Sequence, residues 1–440
     1  MAYSRLPRLT LGLGTALLMA LCGGAQATPS PRPAHAPSTR ARSAAAVRPV
    51  AKVCRHEHRW VHSKRVIVRV CRPAAPARPG VTATGPTSGG TRGVAPTRPT
   101  ATGDRVSRVG ERLVLGGRAW TFSGINVFGA ATDDATNRGC GGSIDLPGLF
   151  GGLRPGSVVR FWASQGMAWD EKAGPGHVDF TGIDRVVAAA DRTGQKLILT
   201  LSDQAGTCDD GRWHDQAWYD GGYRTQGLAG SYLDWVRLVV ARYAGNPAVA
   251  FWEPVNEPEA SDCHGGAQGS ACYGAPRTCA DSGEVSLRAF FDTVGAEIHA
   301  LDPGGLVSTG FIGRKQCGVN GGGFDRIAAS QQVDLLTYHD YSGADETMPP
   351  DLRDRVDAAH RDDKPLAVEE AGIAAGPSCG SPVQRADEFR AKMTTAFDAG
   401  IVGYLPWTMQ GASESCGFSV GAHDPVFTVL QSLPATTRPT

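Results

Sequence analysis

The sequence predicts an α/β protein built on one (β/α)8 TIM barrel with disulfide-held loops, preceded by a disordered, basic, Pro-rich N-terminal region. Three observations lead there. Eight short apolar runs follow one another at 120–126, 158–162, 196–201, 248–253, 305–309, 333–338, 365–370 and 402–407, with helical stretches between most of them. Alternating strands and helices joined by right-handed crossovers make a parallel sheet, and eight such units close into a barrel. The segment 105–434 is long enough, since such a barrel with insertions takes ~250 residues or more. Finally, six of the eight runs end in groups suited to acid–base or binding work. A barrel of this kind gathers its strand ends at one face.

The N-terminal elements come first. Arg5 and Arg8, an apolar run from Leu9 to Leu21 and then Ala25-Gln26-Ala27 form a secretory signal with a small-residue cleavage site, spanning 1–27. The run is too short for a permanent membrane span, so an exported, secreted protein with no membrane contact after cleavage is expected. Leu21 is larger than the residue a lipoprotein signal carries before its cysteine, which argues against lipidation of Cys22. Residues 28–104 are a Pro/Ala/Arg-rich linker that cannot bury a core. Within it, Val/Ile alternating with Arg/Lys suggests a small hairpin at 53–71 closed by Cys54 and Cys71. This basic segment is either a solvated linker or a contact for an anionic cell wall. Cys54, His56, His58, His62 and Cys71 fit no zinc-finger spacing, and export favours a disulfide.

In the barrel segment, 180–194 and 231–247 carry apolar residues at helical spacing and end in Gly194 and in Gly245 with Pro247. The stretches 286–303 and 385–400 repeat the scheme. TFSGINVFGA (121–130) only superficially resembles a phosphate loop, so an open dinucleotide-binding sheet is set aside and no cofactor is expected. With 44 basic against 43 acidic residues, the charge gives no case for nucleic acid. A monomer is expected.

The strand ends deliver Arg160 and Trp162 (second run), Ser202-Asp203-Gln204 (third), Asn256 and Glu257 (fourth), His339 and Tyr341 (sixth), Glu370 (seventh) and Trp407 (eighth). Glu257 and Glu370 each close a short apolar run just before a strand-breaking Pro or Gly. Paired acids at strand ends suit cleavage of a glycosidic bond: one protonates the leaving oxygen, the other attacks or activates water at the sugar carbon. Sugar rings have apolar faces, so aromatic platforms are needed as well. Trp162, Trp169, Trp213, Trp218, Tyr219 and Trp407 stand at or beyond strand ends, whereas Trp235 and Trp252 are assigned to the core.

With Asn256-Glu257-Pro258, Glu370-Ala371-Gly372, His339-x-Tyr341, Arg160 and Trp407 in order, the barrel segment resembles family 5 of the glycoside hydrolases, in clan A of retaining (β/α)8 enzymes. The resemblance covers none of residues 1–104. It implies a cellulase- or β-mannanase-like endo-β-glycanase, with Glu257 as acid/base and Glu370 as nucleophile. It further implies that Asn256 binds the 2-hydroxyl of the reacting sugar, that Arg160 and Tyr341 position Glu370, that His339 hydrogen-bonds near the acid/base, and that Trp407 floors the reacting-sugar subsite. Trp162 and Trp213 join the expected substrate-binding set. The sequence departs from the pattern at two places: Ser202-Asp203-Gln204 replaces a His at the third strand end, and Ala371 replaces an aromatic. GTCDDGRWHDQAWYDGGYR (206–224) is loosely similar to β-mannanases. The polysaccharide partner stays open among mannan, cellulose, other β-glucans and wall polymers.

Two readings from other classes compete. One is a carbohydrate-binding pseudoenzyme or wall scaffold, which has little reason to keep both carboxylates with their supporting groups. The other is a metal hydrolase using His339 and Asp340, which as strand neighbours point to opposite faces; no metal is expected. Apart from Cys22, ten cysteines remain for five disulfides. Cys379 and Cys416 follow strands whose loops are neighbours and are paired on that ground, which with the other pairings leaves Cys140 for Cys208 and Cys54 for Cys71. One of Cys263, Cys272 and Cys279 must leave its loop, with Cys317 the nearest partner. Side-chain alternation lets only one of Glu369 and Glu370 face the cleft, and Glu370 lies nearer the strand end.

Overall fold

The computed structural model describes residues 104–434 except 133–139, 141–143, 171–172, 175 and 411–415, together with the backbone of 52–61 and 64–73. The chain divides into two units, Met1–Val94 and Ala95–Thr440. In the first, strands Lys52–Val61 and Lys64–Pro73 pair antiparallel with Cys54 opposite Cys71. The side chains of that hairpin, and with them the expected Cys54–Cys71 bond, lie outside the described residues. So do the expected signal sequence and the rest of the linker through 103.

The second unit is the barrel. Its strands are β1 Phe122–Asn126, β2 Val158–Trp162, β3 Lys196–Thr200, β4 Val249–Glu253, β5 Leu306–Val307, β6 Leu336–Asp340, β7 Leu366–Ala371 and β8 Gly403–Pro406. All pair in parallel, in the order β5-β4-β3-β2-β1-β8-β7-β6, and a parallel bridge between Ser308 and Leu335 joins β5 to β6 and closes the circle. Every residue of these strands is buried. Strands covered on both faces must be apolar almost throughout, which is why they stand out as continuous runs in the sequence.

Helices α1 Leu146–Gly151, α2 Thr181–Thr193, α3 Tyr232–Tyr243, α4 Gly283–Leu301, α5 Gly322–Ala328, α6 Pro350–Arg361, α7 Pro382–Asp398 and α8 Val426–Ser432 follow the strands in turn. Their ends are chemically specified. Ser231 and Asp234 form a reciprocal capping box at the start of α3, and the Ser381 hydroxyl accepts from the Gln384 N–H at the start of α7. Gly194 stops α2 at φ 80°, a conformation that favours glycine. No described helix is long and apolar enough to cross a membrane.

A three-stranded antiparallel sheet, Ser107–Val109, Arg112–Leu115 and Arg118–Trp120, precedes β1. Val106, Leu113 and Trp120 pack there with Phe122, Val158, Ile198 and Phe251, residues at or near the strands' amino ends. Arg105 pairs with Asp302 at 2.7 Å and ties this segment to the end of α4. The amino end of the barrel is thereby sealed, leaving the carboxyl ends of the strands for loops and chemistry. Four disulfides brace those loops: Cys140–Cys208, Cys263–Cys272, Cys279–Cys317 and Cys379–Cys416. Cys279 is thus the cysteine that leaves the loop after β4.

Candidate active site

Arg160, on β2, is fully buried at the centre of the strand ends. A buried guanidinium is tolerable only when its five N–H donors are used. Its Nε and one terminal nitrogen meet Glu253 (2.6 Å at the closest), that second nitrogen also donates to Asn256 Oδ1 at 2.6 Å, and the third reaches Asn126 Oδ1 at 2.9 Å and Glu370 Oε1 at 2.6 Å. Four strands are therefore registered by one side chain.

Glu257 lies just beyond β4 at φ 54°, a left-handed conformation uncommon for a non-glycine residue. Its N–H donates to Gly310 O at 2.8 Å. Gly310 itself sits at φ 64°, and a Cβ there would stand 2.2 Å from Val255 O, so the contact requires glycine. His339 Nδ1 lies 2.9 Å from Glu257 Oε1, and the Tyr273 hydroxyl donates to Oε2 at 3.3 Å. Burial, reinforced by the nearby Asp203 carboxylate, pushes the Glu257 carboxyl up to about 7. The side chain keeps a 16% exposed edge toward the cleft.

Glu370 receives Arg160 on one oxygen and the Tyr341 hydroxyl on the other at 2.8 Å. Burial raises its proton affinity, while His339 and Arg160 oppose the rise. Burial also holds the His339 imidazole down at about 4, so the ring is neutral near pH 7 and, protonated at Nδ1, can donate to Glu257. One oxygen from each glutamate and one His339 nitrogen all lie within 4.8 Å of one another. Among the described residues this is the one acid/imidazole cluster tight enough for a cation. An ion there would face the Arg160 guanidinium, already 2.6 Å from Glu370, so the donor set suits proton chemistry better than metal binding.

Asp203, at the end of β3, lines the same cleft. It accepts from Asn256 Nδ2 at 2.8 Å and from the N–H groups of Ala205 and Thr207. The Asn256 amide is therefore fixed at both ends, by Arg160 and by Asp203. A carboxylate thus stands where the resemblance led us to expect histidine.

Strand β7 does not alternate at the critical point. Tyr338 pairs with Val368 but His339 with Glu370, and the register toward β8 shifts over the same residues, so Glu369 is the extra residue of a β-bulge. Both neighbouring glutamates are consequently buried toward Arg160. Glu369 contacts the Glu253 carboxyl; burial first and then the Glu253 charge raise its proton affinity well above normal.

The cleft, roughly 360 Å³, is walled by Phe128, Trp162, Trp407, Tyr273 and Tyr341 around the two glutamates. Phe128 stacks on Trp407 (centroids 5.7 Å apart, 12° between planes), and Trp162 is tilted against both. Among the expected platforms, Trp213 packs behind the cleft instead, edge-on to Tyr273, with its Nε1 donating to Ser261 O. Trp218 and Tyr219 are buried around Phe290 of α4, and Trp169 bridges to Val178 outside the cleft wall. Trp235 and Trp252 lie in the core as expected. Phe128 and Tyr273 are the additions, while Asp203, already noted at the third strand end, takes a place in the cleft wall. Phe128 follows β1 immediately and was open to a strand-end search, but Tyr273 lies in a Gly-rich loop without any sequence signal.

No family model matches the chain. A probable mannan endo-1,4-β-mannosidase C of Aspergillus terreus is 30% identical over 220 residues, 45% of this chain and 51% of that protein. The endo-1,4-β-mannanase from Rhizomucor miehei superposes with a TM-score of 0.55 at 21% identity, covering 74% of this chain and 97% of that one. The chain is thus similar to one mannan-degrading relative in sequence over 45% of its length, and to a solved mannanase in fold over 74%. A glycoside hydrolase family 5 mannosidase from Rhizomucor miehei shares the fold as well, with a TM-score of 0.52 at 16% identity over 74% of this chain and 96% of that one. The chain spans about half the length of the Aspergillus relative it matches.

Proposed function

We propose that this protein is a secreted, retaining endo-β-glycanase that cleaves β-1,4-mannan by double displacement. The observation that carries the mechanism is the convergence of Glu257 and Glu370, with oxygens within 4.8 Å, in two opposed settings. Retaining enzymes hold their carboxyls ~5–5.5 Å apart, inverting ones ~6.5–9.5 Å. Glu257, with a carboxyl near 7, is the group protonated at first contact. Glu370, held by Arg160 and Tyr341, is the group that attacks.

In the first step a Glu370 oxygen bonds to the sugar C1 as the C1–O bond to the leaving sugar breaks, and Glu257 gives its proton to that departing oxygen. In the second, Glu257 takes a proton from water, the water oxygen bonds to C1, and the C1–Glu370 bond breaks. Asn256, fixed by Arg160 and Asp203, is placed for the hydroxyl next to C1, and Trp407 with Phe128 offers apolar faces to the ring. The names of the relatives favour mannan over the other β-glycans, and four disulfides favour an oxidising compartment. Incubation with β-mannan should release short oligosaccharides of several lengths, at a rate unchanged by a chelator. Release of monosaccharide alone would rule out endo action, and turnover confined to cellulose or another β-glucan would rule out the substrate.

A further inference from the structure

The loop between β4 and α4 is built far more heavily than a connection requires. It contains a two-stranded ladder, Ser261–Cys263 with Arg277–Cys279, and is bonded internally by Cys263–Cys272 and outward by Cys279–Cys317. Its Cys272 also packs with Ala205 and Trp213 of the loop after β3 in a small core shared by the two loops. Arg277 donates to Cys272 O and, at 3.0 Å, to Glu259 Oε1, while its guanidinium lies 5.4 Å from the Trp213 ring centroid. All of this surrounds one side chain. Tyr273, next after Cys272, is 42% exposed, lines the cleft, and rests edge-on against Trp213 at 5.3 Å and 85°.

We propose that this braced loop forms the leaving-group side of the cleft, with Tyr273 as the platform for the departing sugar. The assignment rests on Glu257 being the acid of the proposed function. The two Glu257 oxygens have different neighbours: Oε1 faces His339, inside the barrel, and Oε2 faces the Tyr273 hydroxyl. With Oε1 engaged from within, Oε2 is the oxygen left to meet a glycosidic oxygen. The sugar carried by that oxygen then lies beside Tyr273. An exposed aromatic ring beside a sugar is a stacking surface, and rigid support keeps the ordering cost of the contact low. Trp213 supplies that support, pinned through its Nε1 to Ser261 O at 2.9 Å. The phenol also holds the acid's outer oxygen, so the residue that orients the departing sugar orients the proton it needs. Tyr273 is accordingly a specificity residue for substrates whose leaving group is itself a sugar.

The test compares two substrates in the full chain: mannopentaose, whose leaving group is a sugar, and an activated aryl β-mannotrioside, whose leaving group is a phenol. Wild-type turnover of both tests the proposed function; the ratio of losses in the variants tests Tyr273. Tyr273→Ala should lose at least tenfold more kcat/KM on mannopentaose than on the aryl glycoside. Tyr273→Phe, which keeps the ring, should show less than a threefold difference between the two. Equal losses on both substrates in Tyr273→Ala, or no loss on either, would overturn the proposal, as would a Tyr273→Phe split as large as that of Tyr273→Ala. Unchanged melting temperatures would separate these outcomes from misfolding.

Discussion

Replacing Glu369 by glutamine should leave activity almost intact, although the residue is buried beside Glu370, the proposed nucleophile. Three carboxyls, Glu253, Glu369 and Glu370, surround one guanidinium. Glu253 and Glu370 each approach Arg160 to 2.6 Å, whereas Glu369 has no donor among the described residues and contacts Glu253. A third negative charge in that space would be unpaired, so Glu369 holds a proton and donates it to Glu253. Glutamine keeps the shape and an N–H donor, so Glu369→Gln should lose no more than ~1 kcal/mol of stability and about threefold in kcat/KM. Alanine removes the donor to a buried carboxylate and opens a cavity, so Glu369→Ala should cost ~3–5 kcal/mol. Glu370→Ala, by contrast, should lose on the order of 10⁴–10⁶ in kcat with its fold preserved. Denaturant melts and pH profiles of kcat/KM on an activated glycoside measure both quantities. The decisive reading is the acidic limb, which reports ionisation of Glu370 in the free enzyme. An ionised Glu369 would raise the proton affinity of Glu370, and glutamine would then move that limb to lower pH. A neutral Glu369 leaves it in place. A displaced limb, or a Glu369→Gln variant as inactive as Glu370→Ala, would refute the charge count.

Two further outcomes follow from the same geometry. Asp203 adds to the proton affinity of Glu257, whose carboxyl stands at about 7, and the acid works only while protonated. Asp203→Asn should therefore move the alkaline limb of kcat/KM to lower pH, and an unmoved or raised limb would contradict the assignment of that limb to Glu257. A chain beginning at Thr102 should turn over a short soluble substrate as fast as the full-length protein, because the barrel is closed and plugged by residues from 105 onward. A large loss in kcat on that substrate would assign residues 28–101 a part in the barrel.

The barrel was legible because its strands are covered on both faces, so each is a short apolar run cut off by a polar or Gly/Pro residue. The convergence of Glu257 and Glu370, the proposed catalytic pair, was legible because each glutamate terminates such a run. Three features were not. The plugging sheet at 107–120 has strands of only three or four residues, too short for a periodic signal. The bulge at Glu369 inserts one residue into a ladder, and period-two alternation has no means of announcing it; reasoning from alternation picked Glu370 while sending Glu369 the wrong way. The third is the sorting of aromatics. Trp162, Trp213, Trp218 and Trp407 all stand at or beyond strand ends, but only tertiary packing turns Trp218 into the core and Trp213 behind Tyr273. Loop adjacency was enough to pair Cys379 with Cys416, and Cys140 with Cys208 was the pair left over. Choosing Cys279 for Cys317 depended on the folding of the loop itself, in which the ladder pairs Cys263 with Arg277 while the turn at 269–273 brings Cys272 to Cys263.

The central claim is that Glu370 forms a covalent bond to the sugar. Incubation with a 2-deoxy-2-fluoro mannoside carrying a good leaving group should trap that species, because fluorine slows both its formation and its hydrolysis while the activated leaving group speeds formation alone. Peptide mass spectrometry should then find one added glycosyl group, on Glu370. A label on Glu257 or Glu369, or no covalent adduct together with an inverted anomer in the first product seen by proton NMR, would contradict the account.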